Sequence, residues 1–241
     1  MESNEDLDED PPLVPPTVER ILHRAFCLSA VICRSFIDEP DNEHCANLQA
    51  AMKAWLHDMG AEGELELWEA DCIQAPTGSL EPQVRINASW LAEGLVVLIW
   101  ALDFHELPAH DKCVDPKEVT DSIDFLHPDA ADILEEIELE SAEEIEAEAS
   151  KAFAVHWRLR QFQMDGRRLD FAKFAETAWF GPLNIEGIAL EDGDLAINGM
   201  AISKASAEQL ASAMSIARER HRAFNWLLGH AEIYSDVDPS T

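Results

Sequence analysis

Positive charge is scarce in this 241-residue chain: 17 Lys and Arg stand against 48 Asp and Glu, a net charge of −31 with histidine neutral. Binding a nucleic-acid backbone, or an anionic membrane surface, needs a basic footprint to neutralise phosphates, so neither is an expected partner. Long apolar runs are missing as well. The longest, Leu95 to Leu102, falls well short of the roughly 20 residues of a membrane helix, and Glu93 interrupts its extension. Residues 1–16 (MESNEDLDEDPPLVPP) lack the basic start and apolar run of a secretory signal, so a cytoplasmic protein is expected. Cysteine is limited to Cys27, Cys33, Cys45, Cys72 and Cys113, an odd set with no CxxC pair. That gives no disulfide framework, and reduced core thiols are expected.

The familiar catalytic signatures are also absent: no GxxxxGK[ST], no GxGxxG after a strand, no HExxH and no GxSxG. These absences argue against an ATPase, a dehydrogenase, a zincin protease and an α/β-hydrolase. No cofactor is expected. His105, His110, Asp111 and Cys113 in FHELPAHDKC are ligand types that suit zinc, but their spacing matches no established pattern, so no metal is assigned.

What is present supports a substantial core. Hydrophobic residues make up 47% of the chain, with seven Trp and ten Phe as large anchors. The acidity is lopsided: residues 1–150 hold 7 Lys and Arg against 36 Asp and Glu, while residues 151–241 hold 10 against 12. An acidic first part suits a basic protein partner, or solubility alone.

Residues 1–16 read as a flexible acidic and Pro-rich tail, and residues 17–238 as a single helical domain. Thr17 caps a helix that reaches about Glu39, with Phe36 on its apolar face, and a second helix spans about Asn42 to Met59 and closes at Gly60. A segment from Glu64 to Ile73 stacks Leu65, Leu67 and Trp68. One helix is expected over Glu81 to Leu102, apolar all round from Leu95 and therefore central to a bundle. Two short helices are expected at 116–127 and 129–139. Capping boxes at Ser141–Glu144 and Ser206–Gln209 start long helices that run to about Met164 and Leu228. Between them, Asp192-Gly193 and Asn198-Gly199 mark the tight turns of a small β-meander near 185–203. The class is mainly α, a multi-helix bundle with that insertion.

Charge and aromatic residues combine on three of these helices. Trp90, Glu93 and Trp100 lie on the apolar helix, His156, Trp157, Arg158 and Arg160 on the helix begun at Ser141, and Arg218, Arg220, His221, Arg222, Asn225 and Trp226 on the last. A carboxylate on a buried helix needs a cationic or donor partner, and the basic residues of the later helices are its expected suppliers. Arg218, Arg222 and Asn225 share one helical face. Two readings stand: an ion-pair network that locks three helices together, or a pocket where Arg158, Arg222 and His221 hold an anion beside Glu93.

The segments WLAEGLVVLIWAL (Trp90 to Leu102), Glu106-Leu107-Pro108, HWRLR (His156 to Arg160) and ERHRAFNWLLG (Glu219 to Gly229) resemble domain-of-unknown-function family 4272. So does the acidic ending Asp236-Val237-Asp238, so that the resemblance runs over roughly residues 17–238. The long acidic stretch from Asp129 to Glu148 departs from it. The resemblance implies a soluble bacterial protein with a single helical domain, and carries no catalytic residue. Function is therefore expected to be that of a non-enzymatic interaction module, such as an immunity or antitoxin-like inhibitor of a basic partner. The alternative is an enzyme or small-anion-binding protein built on the Glu/Arg/His set.

Overall fold

The computed structural model of the protein describes residues 14–135 and 137–240, so most of the expected N-terminal tail lies outside the described residues. Helix α1 (Val18–Phe36) starts where the Thr17 hydroxyl accepts the Arg20 amide, and α2 (Glu43–Asp58) where Asn42 accepts the amide of Cys45. A short helix, α3 (Leu67–Gln74), follows. The expected long apolar helix is divided into α4 (Pro82–Trp90) and α5 (Ala92–Ala101). At the division, Leu91 donates to Ala88 O and Gly94 donates to Leu91 O, the i→i−3 pattern of a tightened turn. Together the pair spans 20 residues, long and apolar enough by composition to cross a membrane; its apolar faces are instead largely covered by α1 and the last helix.

Helix α6 is shorter than expected, Pro116–Asp121, because left-handed backbone at Asp124 and Leu126 breaks the run, and a 3-10 turn (Ala130–Glu135) replaces the second short helix. The two capping boxes form as read from the sequence and open α7 (Ala142–Asp165) and the final helix. After α8 (Phe171–Thr177) come β1 (Leu190–Glu191), β2 (Asp194–Ile197) and β3 (Met200–Ala201), an antiparallel meander in the order β1-β2-β3. Its turns use positive φ at Asp192-Gly193 and Asn198-Gly199, as the dipeptides require. Helix α9 (Ala207–Leu227) closes the fold and packs along both α7 and α5. The protein is mainly helical with a small β insertion, as expected.

Two apolar clusters result. The larger gathers α1 and α5 with parts of α2, α3, α4 and the second half of α9. The smaller sits under the meander, between α7, α8 and the first half of α9. Three expected core side chains lie outside: Phe36 is exposed at the end of α1, Leu67 is 87% exposed, and Trp68 is partly so. In α3 the buried face carries Glu69, Cys72 and Ile73, at helical i, i+3 and i+4 spacing, and this turns Leu67 and Trp68 outward. Of the thiols, Cys27, Cys45 and Cys72 are buried, but Cys33 is half-buried and Cys113 exposed; all five are free.

Two glycines meet tight quarters. Gly229, at φ +78°, ends α9 with the Val14–Pro15 backbone within 2.8 Å of where a Cβ would stand. At Gly94 a Cβ would collide with the phenol oxygen of Tyr234.

Candidate functional site

Glu93 opens α5 and is 2% exposed. Its Oε2 accepts Nε (3.0 Å) and Nη2 (2.7 Å) of Arg220, on α9. Its Oε1 accepts the amide of Val114 at 2.9 Å. Arg220 also donates to the carbonyls of Pro108 (2.9 Å), Ala109 (3.1 Å) and Lys112 (2.7 Å). The pair therefore fastens the whole 108–114 loop to two helices.

Among the basic residues expected to supply Glu93, Arg220 is the one that does, while the three expected to form an anion pocket beside it, Arg158, Arg222 and His221, are engaged elsewhere. Arg158 on α7 makes a two-pronged pair with Asp194 of β2, at 2.7 and 2.6 Å, and donates to Arg167 O. Arg222 and Arg218 both hold Glu219 of their own helix. His221 meets His156 with Nδ1 atoms 3.0 Å apart. The expected constellation is thus several separate contacts and not one pocket.

The reason is helical phase. Arg218, Arg222 and Asn225 do share a face, but Arg220 falls in step with the core residues Ile216, Ala217, Phe224 and Leu227. A cation on an apolar stripe, matched to a carboxylate on another apolar helix, was the signal that would have paired them. The aromatic members stand apart too. Trp226 is buried edge-on against Tyr234, Trp100 is half-buried beside Phe224, and Trp90 is half-buried at the end of α4. Arg160 is half-buried and makes no ion pair among the described residues.

Two further internal pairs had not been read from the sequence. Arg24 of α1 is bound to Glu69 and donates to Glu64 O at 2.7 Å. Arg34 holds Asp38 at 2.8 Å and donates to the carbonyls of Ala75 and Pro76. The FHELPAHDKC loop docks on the meander: a His110 ring nitrogen bonds Ala196 O at 2.7 Å, and the Asp111 carboxylate accepts the Asn198 amide at 2.5 Å. Its side chains do not converge as a metal cluster among the described residues.

The part of the set that faces open space is His221 with Asn225. Both line a cleft of about 570 Å³. Its walls are Phe153 of α7 and Phe180, and its rim carries Glu146 and Asp238. Burial holds the His221 imidazole down to about 4, and burial together with the neighbouring His221 holds His156 down to about 3. Both rings are neutral at pH 7, so one nitrogen of the His156–His221 contact donates and the other accepts.

The profile of the family described as Domain of unknown function (DUF4272) matches residues 6–172, more than half of the chain. The chain belongs to this family. No curated protein and no solved structure matches it. The span matched by the DUF4272 profile holds Glu93, His156 and Arg158. It stops before α9, so Arg220, His221 and Asn225 lie beyond it.

Proposed function

We propose that this DUF4272 protein is a non-enzymatic interaction module whose acidic first part binds a basic protein partner, as an immunity or antitoxin-like inhibitor would. The observation that carries this reading is the use made of the scarce cations. Arg24, Arg34, Arg158 and Arg220 are all at least nine-tenths buried and paired with carboxylates. In residues 1–150 this leaves five of the seven Lys and Arg against 36 Asp and Glu, with exposed acids running through Asp132, Glu138, Glu143 and Glu146. A surface of one sign speeds encounter with an oppositely charged partner and gives specificity.

The alternative reading, an enzyme or anion-binding pocket, needs guanidinium groups free to take a ligand. Arg158 and Arg222 are committed to Asp194 and Glu219, and Arg220 to Glu93, which weighs against it.

The test is affinity capture from native lysate at low and high salt, with mass spectrometry of the eluate. It is repeated with a variant carrying Asp132→Asn, Glu138→Gln and Glu143→Gln. A partner of basic isoelectric point is expected, retained at low salt, released at high salt and weakened by the variant. Complexes indifferent to salt and to these substitutions would refute the proposal.

A further inference from the structure

The cleft beside α7 and α9 has a chemistry that the other clefts lack. Arginine or lysine lines the other four clefts described: Arg220 and Lys151 in one, Lys117 in another, Arg20 and Arg24 in the third, Lys53 in the fourth. This one has neither. Its ionised groups are the carboxylates of Glu146, one wall up on α7, and Asp238, on the C-terminal segment. Two histidines also line it: His221 on the α9 floor, which burial holds down to about 4, and His230 just beyond α9.

A second observation points to a ligand. Asn225 is 8% exposed, lines the cleft, and its side-chain amide makes no hydrogen bond among the described residues. The residue is nine-tenths buried yet lines the cleft, so a ligand there can meet the amide's acceptor and donor positions in place of solvent. Beside it, Phe153 and Phe180 stand with ring centroids 6.2 Å apart and planes at 86°, offering one ring face and one edge. A planar, weakly hydrated cation stacks on an aromatic face while its donors fan out to carboxylate and amide oxygens.

We infer that this cleft is a guanidinium-binding site that seats an arginine side chain of the basic partner. The flat cation lies against Phe153 or Phe180, and its N–H groups reach the Asn225 amide oxygen and the carboxylates of Glu146 and Asp238. A lysine fits less well, because its ammonium has no plane to stack and is more strongly hydrated. This inference rests on the proposed interaction role and names the contact by which it is made.

The test uses the full chain labelled with ¹⁵N and titrated with N-acetyl-arginine amide, N-acetyl-lysine amide and free arginine. Saturable shifts are expected at the Asn225 side-chain amide and the backbone amides of Phe153 and Phe180, with the lysine compound several-fold weaker. Asp238→Asn, at an exposed position, is expected to weaken the arginine compound by about tenfold, the effect of losing one charge-assisted hydrogen bond. Asn225→Leu should do the same, and the Asp238 variant keeps the test valid if that protein folds poorly. Absence of saturable shifts, equal affinity for both compounds, or indifference to Asp238→Asn would overturn the site. Free arginine binding more than tenfold tighter than the capped form would overturn the partner side chain in favour of a small molecule. If a basic partner is captured in a salt-dependent way but Asp238→Asn leaves its affinity unchanged, the site fails while the interaction role stands. If capped arginine binds and no partner is captured, the interaction role fails instead.

Discussion

Replacing Glu93 by alanine isolates the contact on which the 108–114 loop depends. The substitution leaves the Arg220 guanidinium buried with three backbone carbonyls but no counter-charge, and it orphans the Val114 amide. Removing one partner of a buried ion pair costs about 3–5 kcal/mol. The retained carbonyls pull the figure down, and the half-buried Val114 amide adds up to about 1 kcal/mol. A loss of about 4 kcal/mol is therefore expected, a large share of the roughly 5–15 kcal/mol that holds a protein folded. In urea unfolding followed by circular dichroism, the midpoint should fall with the slope unchanged. The melting temperature should drop on the order of 10 °C for a chain of this size. Amide exchange at Val114 should accelerate beyond the global change, because the loop loses its tether. Coupling is the decisive measurement: Glu93→Ala, Arg220→Ala and the double variant should show an interaction energy of about 2 kcal/mol or more. Additive effects, or a single-variant loss below about 1 kcal/mol, would refute the account of Glu93 and Arg220 as a clamp.

Acid should weaken the fold through the histidine pair. Above the ordinary histidine value near 6.5 both folded and unfolded chains are neutral there. Below it the unfolded chain takes up protons that the folded one refuses until about 4 at His221 and about 3 at His156. Stability should therefore fall with pH by at most about 1.4 kcal/mol per unit for each histidine, and a His156→Gln, His221→Gln variant should show a shallower slope between pH 6.5 and 5 in urea titrations. Gly94→Ala should destabilise by about 1–3 kcal/mol through overpacking. Adding Tyr234→Phe should recover most of that loss, since the obstructing atom is the phenol oxygen. Among the described residues that oxygen is buried without a partner, so Tyr234→Phe alone should be neutral or stabilising by thermal melt. A thiol reagent under native conditions should modify Cys113 first, more slowly than a free thiol because burial and nearby Glu93 raise it, with Cys27 unreactive until unfolding.

Much of the fold was legible in the sequence because its signals are local. Capping boxes at Ser141 and Ser206 and the two turn dipeptides fix their elements within a few residues of chain. The errors arose where a distant contact overrode local pattern. Glu69 faces inward to meet Arg24, and this turned Leu67 and Trp68 to solvent against their hydrophobicity. The tightened turn at Leu91 divides a run that composition reads as continuous. At the site, residue types were legible and pairings were not. Glu93 was recognised as needing a cation, but the choice between Arg158, Arg220 and Arg222 depends on how α9 is rotated. The cleft was out of reach altogether, since Asn225, Phe180 and Asp238 come together only when the last helix and the segment after it have folded.

The Arg220–Glu93 clamp joins residues 127 apart in sequence, and this bears on how the chain can be made. A growing polypeptide that has released everything up to residue 172, where the family match ends, already exposes α5 with an unneutralised carboxylate and one bare apolar flank. Until α9 emerges to cover it, that intermediate is the species most prone to stick to other chains. A protein shortened to the matched span, lacking α9 to cover that flank, should be recovered as aggregate.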